Sequence, residues 1–263
     1  MVEKIAAEEH QRNAKTICCT LENLSTTNCQ FSYLGNQANN TAIKMTHQET
    51  YEQVLKKIDW ITKIAIRKNW EIVVPLKVDR PATVAEIQAV EKQIGKIIPD
   101  DLKELFTFAK RLSFSYQFDE PLSEEFRQNF SGEIYWSLDA LPQQYDNFKE
   151  WVKASLDPAF NDAESIEIID KLWQNKLPLI DVPNGDIIVV GDSPSEVLYF
   201  SHEGDTMHGK LLGQNLWQFL DFYSRIGFAG SESWQLEPFF DHDNNTMVTE
   251  GEKVDRFINL LDK

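Results

Sequence analysis

Residues 177–202 read LPLIDVPNGDIIVVGDSPSEVLYFSH and carry the densest β-strand signal of the chain. Unbroken apolar runs fill 187–190 and 197–200, and turn-forming residues occupy 183–186 and 191–194. Asn-Gly in the first of these turns is a strong signal for a short connection between strands. The stretch therefore predicts a meander of turn-linked strands with at least one strand buried on both faces.

Helices precede this meander. Apolar residues recur at helical spacing over 49–68, which predicts an amphipathic helix. Thr83 and Glu86 form a capping box at the start of a second helix that ends at Gly95, and Pro99 suits the first turn of a third. The pattern also predicts a helix at 3–17, a loop at 20–48, extended chain at 70–78, strands at 113–118 and 132–138, and helices at about 143–155, 163–175, 215–226 and 250–262.

Helices, then a strand meander, then further helices indicate an α+β fold rather than alternating β/α units. We expect an antiparallel or mixed sheet of about five or six strands flanked by helices. The Asp79-Arg80-Pro81 turn and a shift in charge predict a boundary near residue 80. Residues 1–80 would then form an N-terminal helical extension with a flexible segment at about 20–48, and 81–263 the α+β domain.

The charge of the chain is strongly acidic and unevenly distributed. The 263 residues contain 26 Lys+Arg and 42 Asp+Glu, a net charge of −16. Residues 1–80 carry 11 basic and 9 acidic side chains, 81–263 carry 15 and 33, and 115–209 alone carry 5 and 19. Such acidity argues against binding a nucleic-acid backbone and predicts a basic protein partner, although a merely solubilising surface is the alternative.

Other function classes find little support in the sequence. We find no apolar stretch of membrane-spanning length, no signal peptide, and no phosphate-loop, dinucleotide or zinc-protease motif. Cys18, Cys19 and Cys29 are odd in number and lack metal-ligand spacing, which favours a reduced, cytoplasmic protein. Enzyme signatures are therefore weak, no cofactor is predicted, and the sequence does not indicate an oligomeric state.

Five segments in a fixed order resemble the SUKH superfamily, which includes Smi/Knr-type cell-wall regulators and bacterial immunity proteins. They are the paired helices at 82–105, Gly132 with its strand and the following 138–141, the Gly-Asp turn within 179–186, the strand ending in His-Glu at 197–203, and the helix at 215–226. The resemblance covers about 81–240. It implies a non-enzymatic fold that binds protein partners in a cleft beside its sheet.

The resemblance also suggests a role. The long disordered flanks of the fungal members are absent, so we expect an immunity protein that neutralises a cognate, basic, nuclease-type toxin. A regulatory scaffold in cell-envelope or stress signalling is the alternative. The expected contact surface is an acidic group at the ends of the predicted strands: Asp186, Asp192, Glu196, Tyr199, His202, Glu203 and Asp205.

Residues 241–252 offer a different hypothesis, a calcium loop. Oxygen-bearing side chains of Asp241, Asp243, Asn245 and Glu252 fall at positions 1, 3, 5 and 12 of such a loop. Thr246, however, replaces the glycine expected at the sixth position. Glu252 also completes a capping box for the last helix, which explains that residue without calcium.

Overall fold

The computed structural model describes residues 45–159, 162–192 and 195–262. The helix expected at 3–17, nearly all of the loop expected at 20–48 and the three cysteines lie outside these residues. The described chain contains helices α1 His47–Lys68, α2 Val84–Ile94, α3 Asp100–Phe108, α4 Leu141–Ser155, α5 Ala163–Trp173, α6 Leu216–Arg225, α7 Ser233–Leu236 and α8 Glu252–Asp262. The strands are β1 Glu71–Val78, β2 Arg111–Gln117, β3 Ser131–Ser137, β4 Lys176–Asp181, β5 Ile187–Gly191, β6 Val197–Phe200, β7 Lys210–Gly213, β8 Phe240–Asp241 and β9 Thr246–Met247.

The start of α2 confirms the predicted capping box. The Thr83 hydroxyl accepts a hydrogen bond from the backbone N–H of Glu86, and the Glu86 carboxylate accepts one from the backbone N–H of Thr83. Gly95 ends the helix with a φ of +69°, in the left-handed region that favours glycine. Local sequence thus fixes both ends of this helix.

The first sheet has the antiparallel order β1-β2-β3. Along β2, Leu112, Phe114 and Tyr116 are buried while the residues between them are half-exposed, as expected for a sheet covered on one face. Tyr116 lies opposite Gly132 of β3, and its ring occupies the space that a Cβ at Gly132 would need. This close approach explains the glycine at the start of β3.

The second sheet has the antiparallel order β4-β5-β6-β7 and lies between two apolar clusters. Ile188 and Val190 of β5 face the main core, whereas Ile187 and Val189 face a smaller cluster under α4 and α5. Successive side chains of a strand point to opposite faces. The unbroken apolar run in β5 is therefore the consequence of burial on both sides.

The α+β class is confirmed, but the expected single sheet of five or six strands is corrected. The described strands form three antiparallel sheets of three, four and two strands. Two helices, α4 and α5, separate β3 from β4 along the chain, and these two strands do not pair. Which strands share a sheet depends on packing between elements distant in sequence, and apolar periodicity does not predict that packing.

The elements before residue 81 pack with those after it. Strand β1 forms the edge of the first sheet by pairing with β2, and Val54, Ile58 and Ile61 of α1 lie in the main core. The division into an extension and a domain at residue 80 stays a prediction. None of the helices in the described part of the chain has the length and apolar composition needed to cross a membrane.

Candidate functional site

The residues predicted as a contact surface lie at the two ends of the β5–β6 hairpin. The antiparallel register places Asp186 beside His202 at one end and Asp192 near Glu196 at the other. Six residues of extended chain span about 20 Å. The seven predicted residues therefore form two separate groups, which we call the buried end (around Asp186) and the lysine end (around Glu196).

The buried end is organised by the carboxylate of Asp186, which is 1% exposed. One oxygen accepts hydrogen bonds from the backbone N–H of His202 at 2.8 Å and from its Nδ1 at 2.6 Å. The other accepts from the Tyr199 hydroxyl at 2.5 Å and from the Asn184 side-chain amide at 2.9 Å. Because a carboxylate only accepts, His202 Nδ1 must carry the hydrogen. Four donors thus satisfy one buried charge.

This arrangement joins a turn to a strand end. Gly185, with a φ of +96°, permits the tight turn that brings Asp186 to the start of β5. Tyr199 is fully buried, and burial, followed by the neighbouring Asp186 charge, raises the pKa of its phenol well above the ordinary value. Tyr199 therefore stays a neutral donor. The Gly-Asp and His-Glu segments quoted from the sequence meet here through hydrogen bonds.

Asp186 and Tyr199 are predicted in the contact surface, but the structure places both side chains in the interior. Partner contact by the predicted residues stays a prediction. An Asp after an Asn-Gly turn is typical of a solvated loop, and no local pattern indicates that four donors converge on it. The residues left accessible at the buried end are Glu203, whose side chain is 70% exposed, and the half-buried His202 and Asp205. Asp205 also accepts a hydrogen bond from the backbone N–H of Met207 at 2.9 Å.

The lysine end pairs its acidic groups with two lysines. Glu196 lies 2.5 Å from Lys176 Nζ, and both side chains are mostly buried. Asp192 is more exposed and lies 3.9 Å from Lys96 Nζ. The negative charge at this end is therefore largely offset by its own chain.

The loop considered for calcium is the turn of the β8–β9 hairpin. Asp241 accepts hydrogen bonds from the backbone N–H groups of Asp243 and Asn244 and from the Asn244 side chain. The Asn245 amide oxygen accepts from Leu211 N at 3.4 Å, and Glu252 lies 2.8 Å from Arg256. These hydrogen bonds shape the turn without a bound ion, and calcium binding by this loop stays a hypothesis.

Sequence reasoning missed one group of potential metal ligands within the described residues, formed by His47, Asp101 and Glu104. His47 Nδ1 lies 2.8 Å from Glu104, and its ring stacks on Trp217 at 4.6 Å. Asp101 and Glu104 are three residues apart on α3 and share a face. The third residue begins α1, far away in sequence, so no local spacing could indicate the group.

A second buried titratable group lies behind the buried end. His208 Nδ1 is 3.0 Å from the carbonyl oxygen of Ser201, and its ring stacks on Phe200. Burial lowers the pKa of this imidazole below its ordinary value, although the Ser201 carbonyl and Asp205 oppose the shift. Its Nε2 is buried and meets no hydrogen-bond partner among the described residues. His208 therefore favours the neutral form.

Fold and site together define an α+β protein in which hydrogen bonds from Tyr199 and His202 to the buried Asp186 carboxylate connect the strands of the central hairpin. The SMI1 / KNR4 family (SUKH-1) model matches residues 81–221, more than half of the chain, and the protein belongs to this family. The resemblance drawn from the sequence is confirmed. No curated protein matches the chain.

Proposed function

We propose that this protein acts without catalysis, by binding a basic protein partner, and that the partner is a cognate toxin domain neutralised in the cytoplasm. Membership in the SMI1 / KNR4 (SUKH-1) family carries the proposal. The concentration of acidic residues in 115–209 agrees with a basic partner, because complementary charge speeds encounter and helps to exclude wrong partners.

The contact residues in this proposal are the accessible acidic side chains of the buried end, Glu203 and Asp205. The half-buried His202 lies beside them and contacts the buried Asp186. The hydrogen bonds of Asp186 hold the backbone and ring of His202. A rigid support of this kind lets exposed charges meet a partner without loss of further chain entropy. Asp186 therefore supports partner binding indirectly, by holding the segment that carries the contact residues.

The test uses any toxin domain found to be encoded beside the gene for this protein, mixed with purified wild type and with Glu203→Lys. We expect a stable wild-type complex, protection of cells that express the toxin, and association about tenfold slower for the variant at low salt. Asp59→Lys is the control, since this exposed acid lies on α1 and pairs only with Lys63 among the ion pairs of the described residues.

Equal slowing by the control variant would indicate a general charge effect and contradict this contact surface. A complex that forms without protecting cells would instead favour the regulatory-scaffold role. Failure to bind any neighbouring toxin domain would contradict the immunity role.

A further inference from the structure

A groove of about 670 Å³ lies beside the second sheet, opposite in charge to the rest of the protein. Its apolar floor contains Phe148 and Trp173, both at least 95% buried, with Tyr145 beside them. Four lysines surround this floor: Lys96, Lys149, Lys153 and Lys176. We call this surface the lysine groove.

Helix geometry explains how α4 builds one wall. The groove residues of the helix fall three or four positions apart, so that they share one face. They are Tyr145, Phe148, Lys149, Val152 and Lys153. Trp173 at the end of α5 stacks on Phe148 at 5.6 Å and closes the floor. The wall therefore alternates apolar contact with positive charge.

The positive charge is concentrated here against the trend of the chain. Residues 115–209 contain only 5 basic side chains, and three of them line this groove, whereas Asp157 supplies the acidic side chain of its lining. Lys149 and Lys153 pair with Asp146 and Glu150 of their own helix, which lie outside the lining. Such exposed pairs contribute little and exchange readily for other carboxylates.

The environment of the Lys96 ammonium also favours an anionic ligand. Its ammonium is 3.9 Å from Asp192 and 3.5 Å from the Lys176 carbonyl oxygen. Burial lowers its pKa, and the neighbouring Lys176 adds to this effect while Asp192 opposes it. Lys176 is already paired with Glu196, so a negative group beside Lys96 would mainly offset the cost of burying the Lys96 ammonium.

We propose that the lysine groove binds an acidic peptide segment of a partner protein, with an aromatic or aliphatic side chain on the Phe148–Trp173 floor and carboxylates facing the lysines. A peptide suits the site better than a nucleic acid. The field of four lysines extends only about one Debye length, ~8 Å at physiological salt, whereas a long polyanion would also meet the net charge of −16. This surface is separate from the acidic contact residues proposed above.

The experiment measures fluorescence anisotropy of a labelled peptide in which glutamates flank a single phenylalanine. We expect saturable binding to the wild type, weakened at least tenfold in Lys149→Glu/Lys153→Glu. The matched control is Lys63→Glu/Lys171→Glu, which changes the net charge equally at two exposed lysines outside the lining. Circular dichroism checks that both variants are folded, as expected for exposed positions.

Replacing the phenylalanine of the peptide by serine should also weaken binding about tenfold, because the floor then loses its contact. No saturable binding, equal loss in the control variant, or equal affinity for an RNA oligonucleotide of the same charge would overturn the proposal. Toxin binding can fail while this peptide still binds, so the two proposals are tested independently.

Discussion

The two ends of the β5–β6 hairpin hold similar residues in different physical states. At the buried end, Asp186 has almost no contact with solvent and accepts four hydrogen bonds. At the lysine end, Asp192 keeps a 44% exposed side chain and its nearest cation is 3.9 Å away. Asp186 directly precedes and Asp192 directly follows the same five-residue strand.

This difference shows that the environment of a carboxylate decides its role. A buried charge is tolerated only when hydrogen bonds replace its hydration, and the loss of those bonds is costly. An exposed charge contributes little to stability and remains free to meet a partner. Asp186 therefore stabilises the fold from the interior, whereas Asp192 remains in contact with solvent near Lys96.

The largest effect is expected for Asp186→Asn. The substitution removes the charge and presents an N–H₂ group to donors, so at least one buried donor loses its acceptor. Because hydrogen bonds to charged groups contribute ~1.5–3 kcal/mol each, we expect the free energy of unfolding to fall by about 3 kcal/mol. Urea unfolding followed by circular dichroism measures this. Asp192→Asn is the matched control, with an expected loss below about 0.5 kcal/mol; equal losses would contradict the contrast between the ends.

Acid should weaken the buried end through His208. Its pKa is lowered in the folded protein, so the unfolded chain binds the proton first. Stability is then complete above the ordinary histidine pKa of ~6.5 and falls as the pH drops below it, by at most about 1.4 kcal/mol per pH unit. Unfolding free energies measured from pH 7.5 to 5 check this slope.

The control for this prediction is His208→Phe, which keeps an aromatic ring beside Phe200. Burial raises the pKa values of Glu133 and Asp181, so these groups favour folding as the pH falls and act in the opposite direction. Both remain in the variant, and the difference between the two profiles isolates the imidazole. An unchanged profile would show that His208 does not couple to folding.

Tyr199→Phe should have a smaller effect than Asp186→Asn. The phenol hydroxyl is one of four donors to Asp186, and its removal leaves the ring packed in the core. We expect a loss of about 1.5 kcal/mol in unfolding free energy. Combining the two substitutions should give less than the sum of their separate losses, because they remove the same hydrogen bond. Additive losses would mean that the hydroxyl and the carboxylate act independently.

Local signals in the sequence anticipated much of the fold and little of the buried end. The capping box of Thr83 and Glu86, the turn at Asn184-Gly185 and the strands of the central hairpin depend on neighbouring residues, and the structure confirms them. The burial of Asp186 depends on donors from Tyr199 and His202, which lie 13 and 16 residues away in the sequence. Long-range packing also divides the strands among three sheets. No periodicity or motif reports such encounters.

Apart from the control Asp192→Asn, the smallest loss of stability is expected at the lysine end, for Glu196→Gln. Glu196→Gln keeps an oxygen that can accept from Lys176 but removes the charge, so we expect a loss of about 0.5–1 kcal/mol. Since these side chains retain some contact with water, ~1 M salt should reduce that loss. The loss caused by Asp186→Asn should change little with salt, because solvent ions do not reach that carboxylate. Parallel urea titrations at low and high salt compare the two variants, and the same salt dependence at both ends would show that the two carboxylates do not differ in environment.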